Sequence, residues 1–73
     1  MRLVGWNLVS GQWHQYKGKV LEQWGLLTAD DLEVIDGRRE QLIGQLELRY
    51  GWSKDEADAK IATWESTLEL SGD

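Results

Sequence analysis

Four carboxylates lie close together in the middle of the chain and form the first group of residues that could do chemistry. Asp30, Asp31, Glu33 and Asp36, called here the acidic cluster, could hold a hard cation. A calcium loop, however, alternates its oxygen ligands along the chain and has a central glycine, and this segment has neither feature. Acidic residues at the start of a helix also interact favourably with the helix dipole. We therefore interpret the cluster as helix-end charges and predict no metal site.

Glycine and lysine residues between positions 11 and 19 suggest a phosphate-binding loop, but their spacing is wrong. The motif requires two glycines separated by four residues, followed by lysine and then serine or threonine. Here six residues separate Gly11 from Gly18, and Val20 follows Lys19. We predict instead that Lys17 and Lys19 are solvated charges on a helix.

The other reactive residues are too few for most catalytic arrangements. His14 is the single histidine and the chain has no cysteine, which excludes disulfides, Cys-based zinc sites and multi-histidine sites. Arg38, Arg39 and Arg49 form a small basic patch in a chain of net charge −5, whereas nucleic-acid binding requires concentrated lysine and arginine. We predict that the protein is not an enzyme, that it has no catalytic, cofactor-binding or metal-binding residues, and that it binds no nucleic acid.

Helical periodicity dominates the sequence and predicts an all-α fold. Apolar residues recur at spacings of three and four, and they predict four helices over residues 7–24, 29–36, 38–50 and 54–69. Ser53 and Glu56 match a capping box, and Thr28 and Asp31 match a weaker one. Each is preceded by a glycine that suits the left-handed residue at a helix end, and these are Gly25 and Gly51. The Asp36-Gly37 pair is expected to separate the second helix from the third.

A degenerate repeat runs through the chain with an offset of 26 residues. It relates the glycines at positions 11, 18 and 25 to those at 37, 44 and 51, and it pairs Trp24 with Tyr50. Each half would be a long helix, a glycine stop and a capped second helix. We therefore predict two helical hairpins packed across each other. Their core should contain Trp13, Trp24, Tyr50 and Trp64, because these residues lie on the apolar helix faces and the chain has few other large side chains.

Two glycines in the interior of predicted helices require an explanation. Gly18 and Gly44 each cost about 1 kcal/mol relative to alanine at such positions. Either they lie on a solvent face, or a neighbouring helix or a partner approaches them closely. The second alternative is favoured, and it predicts that a methyl group added at either position would clash.

Length and hydropathy predict one domain over residues 1–73, with frayed termini. No run of about 18 apolar residues is present, which argues against a membrane span. The apolar run at the start of the chain is too short for a signal peptide, and the residues that follow it are too polar. These features predict a cytoplasmic protein.

The order of aromatic, glycine and charged residues closely resembles the CsbD-like family, from Trp6 to about Trp64. The shared positions are Trp6, Val9, Gly11, Trp13, Lys17-Gly18-Lys19, Trp24-Gly25, Leu27-Thr28, Asp31-Leu32, Ile35, Gly37, Arg39, Gln41-Leu42, Gly44, Arg49-Tyr50-Gly51, Ala57 and Trp64. The resemblance implies a small bacterial protein that is abundant under general stress, with a fold of crossed helical hairpins and without catalytic residues or a cofactor. Similar sequences usually have a charged or polar residue where Ser10, Leu21, Leu26 and Leu48 stand here. The less charged surface favours self-association.

The residues and the resemblance together predict a non-catalytic stress-response protein that acts by stoichiometric binding or protection. The alternative is an interaction module that works as a homodimer or docks one protein partner. An enzyme would need paired acid and base groups, and the sequence offers no convincing pair.

Overall fold

Helices make up nearly all of the structure, a computed structural model that describes the backbone of residues 5–71 and the side chains of residues 6–68. The five helices are α1 (Gly5–Gly11), α2 (Trp13–Gln23), α3 (Ala29–Ile35), α4 (Arg39–Tyr50) and α5 (Lys54–Ser71). Residues 5–71 contain no strand, so the predicted all-α class is confirmed. The termini that were expected to fray, residues 1–4 and 72–73, lie outside the described residues.

The first predicted helix is two helices, so the prediction of one continuous helix over residues 7–24 was wrong. Gln12 leaves the helical region with φ −123° and ψ 39° and becomes the residue that caps α2. The break follows Gly11, whose low helix propensity makes an interruption inexpensive. It lets α1 pack against α2 and lets the Trp6 indole N–H donate to the Gly37 carbonyl at 2.7 Å.

Local capping fixes the starts of α3 and α5. The Thr28 hydroxyl accepts from the Asp31 backbone N–H at 3.1 Å, and the Thr28 N–H donates back to the Asp31 carboxylate at 3.0 Å. Ser53 accepts from the Glu56 N–H at 3.1 Å, but within the described structure the return bond from Glu56 is not formed. The full capping box is therefore the one at Thr28, which the sequence presented as the weaker of the two.

Left-handed residues end two of the helices. Gly51 follows α4 with φ 73°, as predicted. Asp36 and Gly37 follow α3 with φ 48° and 79°, and they separate α3 from α4 as expected. The prediction for Gly25 was wrong. α2 ends at Gln23, the capping residue Trp24 has φ −125°, and Gly25 is not among the residues with positive φ.

The core lies between α4 and its neighbours α3 and α5, with further side chains from α1 and α2. Its buried apolar residues are Val9, Val20, Trp24, Leu27, Leu32, Ile35, Leu42, Ile43, Leu46, Ala57, Ile61 and Trp64. The predicted core positions of Trp24 and Trp64 are confirmed, whereas Trp13 and Tyr50 are only partly buried at the edge. The arrangement as two crossed hairpins related by a repeat stays a prediction.

Trp64 on α5 joins the aromatic side chains of the other helices. Its ring centroid lies 5.3 Å from that of Trp24 and 6.4 Å from those of Tyr16 and Trp6. The Trp24 and Tyr16 rings meet it edge to face, which is the favourable geometry for aromatic pairs. Aromatic burial therefore contributes to the stability of a domain that is too short to bury a large core.

The mid-helix glycines are open, so the predicted contact within the chain at Gly18 and Gly44 was wrong. A Cβ on either glycine would have no heavy atom of the described structure within 4 Å, apart from the backbone of its own helix.

The Gly18→Ala and Gly44→Ala variants should therefore each gain about 0.5–1 kcal/mol in free energy of unfolding. Thermal or urea unfolding of each variant measures this gain. Gly37→Ala is the matched control and should destabilise, because Gly37 has φ 79° and its added Cβ would lie 3.4 Å from the Trp13 Cβ. Destabilisation at Gly18 or Gly44 would contradict an open helix face.

Candidate binding surface

The acidic cluster does not converge on one point. Asp31 is buried at the start of α3, while Asp30, Glu33 and Asp36 are exposed. Glu33 pairs with Lys17 of α2 at 3.3 Å, so Lys17 is not simply solvated as predicted. Among the described side chains, no group of three or more histidine, cysteine or carboxylate residues is placed to hold a metal ion.

Asp31, the most buried carboxylate among the ion pairs of the described structure, instead pairs with Arg49. The Arg49 guanidinium donates to both carboxylate oxygens, with Nε–Oδ2 at 2.8 Å and Nη2–Oδ1 at 2.9 Å. The hydrogen bond from Arg49 lowers the pKa of Asp31, against the opposing effect of burial, and the bond from Thr28 lowers it further. The same pair raises the pKa of Arg49. This contact ties the start of α3 to the end of α4.

A second arginine ties α4 to α5. Arg39 contacts the carboxylates of Asp58 and Glu65, with Nε–Oε2 of Glu65 at 3.4 Å. Burial alone would lower the pKa of Arg39, but the bonds to the two carboxylates raise it overall. Arg39 and Arg49 thus lie near opposite ends of α4 and are both engaged in pairs. The three arginines that the sequence grouped as a basic patch do not present one basic surface.

An aromatic groove lies beside the end of α2 and the middle of α5. This aromatic groove has a volume of about 400 Å³. Its lining residues are Gln23, Trp24, Tyr50, Trp52, Lys60, Thr63, Trp64 and Thr67. A second groove of about 390 Å³ continues it along the two helices, shares Gln23, Trp64 and Thr67, and adds Lys19, Glu22 and Leu68.

Two aromatic pairs shape the aromatic groove. Trp24 and Trp64, both buried, meet edge to face in its floor. Tyr50 and Trp52 stack in its wall with ring centroids 4.4 Å apart and an interplanar angle of 16°. The left-handed turn at Gly51 makes this stack possible, because it reverses the chain between the two rings. The Tyr50–Trp52 stack therefore depends on a local feature at the end of α4.

Lysines lie on the rim of this continuous surface. The Lys60 ammonium lies 5.2 Å from the centroid of the Trp52 ring, a cation–π contact. Lys19 lies on the rim of the second groove, beside Glu22. Within the described part of the chain neither lysine is in an ion pair, in contrast to Lys17 and Arg39. The rim therefore offers two cations without a carboxylate partner, of which Lys60 contacts the Trp52 ring.

Sequence reasoning did not find the aromatic groove. No role in binding was predicted for Trp52, Lys60 or Thr63. One signal was available, since Lys60, Trp64 and Thr67 are spaced by four and three and so share a face of α5. His14, the single histidine, is exposed on α2 and does not line the groove.

Other exposed features of the described structure are isolated. Leu48 on α4 is 69% exposed and Leu26 before α3 is 56% exposed, and single exposed leucines are common on protein surfaces. No helix within residues 5–71 combines the length and the apolar character needed to cross a membrane.

Comparison of the sequence with known proteins shows similarity to one protein family. A family model described as CsbD-like matches residues 7–59. The UPF0337 protein YjbJ of Escherichia coli is 51% identical over 59 residues, which cover 81% of this chain and 86% of that protein. The UPF0337 protein RPA4217 of Rhodopseudomonas palustris is 53% identical over 65 residues, which cover 89% of this chain and 98% of that protein.

Proposed function

This chain belongs to the CsbD-like family, and on that premise we propose that it is a bacterial stress-response protein that acts without catalysis. Its role is stoichiometric binding or protection in the cytoplasm. One observation carries the proposal: arginine–carboxylate pairs tie helices together, while a groove of the described structure is lined by aromatic residues. Asp31 and Arg49 join α3 to α4, and Arg39 joins α4 to α5. An aromatic surface with a polar rim is suited to binding.

A second candidate function is a module that works as a homodimer. Leu48 is 69% exposed and lies four residues after Gly44, on the same open face of α4. A second copy of the chain could approach closely there, because glycine presents no side chain. Sedimentation of the protein over a range of concentrations separates this candidate from a monomeric binder.

Genetic complementation tests the proposed role. In a bacterial strain that lacks the gene, we expect full rescue of stress survival by His14→Ala and by a variant in which Asp30, Glu33 and Asp36 are all changed to their amides. Both changes affect exposed side chains that do not hold the core together. Asp31 is left unchanged, because it is part of the Arg49 pair.

The control is Trp24→Ala, which should fail to rescue because it removes a core side chain. Protein level and folding are measured for each variant by immunoblot and circular dichroism. Loss of rescue by a folded, abundant variant of His14 or of the exposed carboxylates would reveal a discrete active site and refute the proposal.

A further inference from the structure

We infer that the aromatic groove binds a segment of another polypeptide in which a large apolar side chain is flanked by carboxylates. The inference rests on the proposed function and names the class of partner. It follows from three features of the surface: its aromatic floor and wall, its open and continuous shape, and the two unpaired lysines on its rim.

The floor and wall favour an apolar side chain. Trp24 and Trp64 form the floor, and the stacked rings of Tyr50 and Trp52 form a half-buried wall beside them. Aromatic residues dominate the energetics of protein interfaces because each contributes a large, rigid apolar area. Trp24 and Trp64 are only 3% and 5% exposed, and Lys60 lies over the Trp52 ring. The apolar area that a partner can cover is therefore mainly the exposed edge of the Tyr50–Trp52 stack. An apolar side chain placed against that edge would remove both surfaces from water. Gln23 and Thr63 on the same rim can exchange hydrogen bonds with a peptide backbone.

The shape favours a segment of chain. The two grooves share Gln23, Trp64 and Thr67, so one surface runs along α2 and α5 and stays open on its outer side. Small-molecule sites usually enclose most of the ligand surface, whereas an extended or helical peptide occupies an open groove and leaves one side in water.

The charges favour carboxylates on that segment. The chain as a whole has net charge −5, and Lys17, Arg39 and Arg49 are all held in ion pairs. Lys19 and Lys60 are the exceptions that border the groove, and a single carboxylate, Glu22, accompanies them. An acidic segment would pair with both ammonium groups, whereas a basic segment would meet two like charges and Glu22 alone.

Titration of the labelled protein with a defined peptide tests the inference. The probe is a short acetylated peptide with a central leucine-tryptophan pair and two glutamates on each side. In a ¹⁵N-correlation spectrum of the whole chain, the indole signals of Trp24, Trp52 and Trp64 should shift on addition of the peptide. The Trp13 indole should not shift, because Trp13 lies outside both grooves. A peptide with lysines in place of the glutamates should bind more weakly than the probe.

Lysine variants test the charge argument. The double variant Lys19→Gln with Lys60→Gln should bind the acidic peptide about fivefold more weakly, the effect expected for two exposed ion pairs. Lys54→Gln is the matched control, since Lys54 is also an exposed lysine but does not line either groove. It should bind as the unchanged protein does. Thermal melts establish that all variants are folded, and added salt should weaken only the lysine-dependent part.

Three results would overturn the inference. In the first, the groove indoles do not respond to the acidic peptide. In the second, the lysine peptide binds equally well. In the third, the same indoles shift with protein concentration alone, which would show a second copy in the groove.

The complementation experiment distinguishes failure of this inference from failure of the proposed function. If the groove indoles do not respond to the acidic peptide while folded His14→Ala rescues the deletion strain fully, the groove inference fails and the non-catalytic role stands. If folded His14→Ala fails to rescue, the role fails while the peptide result is unaffected.

Discussion

Replacing Trp24 by alanine should lower the free energy of unfolding by about 3–5 kcal/mol. The Trp24 side chain is 3% exposed and meets Trp64 edge to face, so its loss leaves a cavity where α2 and α5 are joined. A domain of this size has a total free energy of unfolding of about 4–10 kcal/mol. The variant should therefore be largely unfolded or should melt far below the unchanged protein. Urea unfolding followed by far-ultraviolet circular dichroism measures the difference.

Leu48→Ala is the matched control for that experiment. Leu48 is a large apolar residue on α4, but it is 69% exposed, so truncation should change the free energy of unfolding by no more than about 0.5 kcal/mol. A Trp24→Ala protein with the stability of the Leu48→Ala protein would contradict the placement of Trp24 in the core.

Replacing Asp31 by asparagine should lower the free energy of unfolding by about 1–3 kcal/mol at neutral pH. Asparagine has almost the same shape and keeps one acceptor for the Thr28 N–H. Its amide NH₂, however, would take the place of Oδ1 and face Nη2 of Arg49, so two donors would meet at a position where a buried carboxylate oxygen now accepts. Asp30→Asn is the matched control, because Asp30 lies in the same first turn of α3 but is exposed and should change stability by less than about 0.5 kcal/mol.

The pH dependence of the same variant gives an independent check. Because Arg49 lowers the pKa of folded Asp31 below its usual value of 3.8, the stabilising contribution is fully present above pH 3.8. It is lost as the pH falls through the lowered pKa of the folded state. The difference in stability between the unchanged protein and Asp31→Asn should therefore be largest at neutral pH and should shrink in acid. A difference that stays constant down to acid pH would show that the Asp31 charge contributes nothing.

The sequence predicted the local features of the fold well because their causes are local. The starts of α3 and α5 follow from Thr28 and Ser53, which cap the helices through residues three positions away. The end of α4 follows from Gly51, whose left-handed conformation suits glycine. These devices act within one turn of chain, so they are visible in the order of residues.

The features that the sequence did not predict depend on distant contacts. The break at Gln12 accompanies the bond from Trp6 to Gly37, which lie 31 residues apart. The Asp31–Arg49 pair joins residues 18 apart, which the sequence had placed in separate acidic and basic groups. Gly18 and Gly44 were expected to face a contact because glycine is costly in a helix, but cost alone does not show what lies beside a residue.

The aromatic groove was missed for the same reason. Trp24, Trp64 and Tyr50 were predicted to share a core because all three lie on apolar helix faces. The structure buries the first two and leaves Tyr50 stacked on Trp52 at the surface. Only the relative placement of α2 and α5 turns these residues and Lys60 into one concave surface, and that placement is set by the whole core.

Survival measured against protein level tests the central claim, stoichiometric action without turnover, most directly. The gene is expressed from a graded promoter in a strain that lacks it, and stress survival is plotted against the number of protein molecules per cell. A binding or protective role predicts that survival rises in proportion to the amount of folded protein, up to the level found in stressed cells. Full survival at a small fraction of that level would require each molecule to act many times, and it would contradict the account.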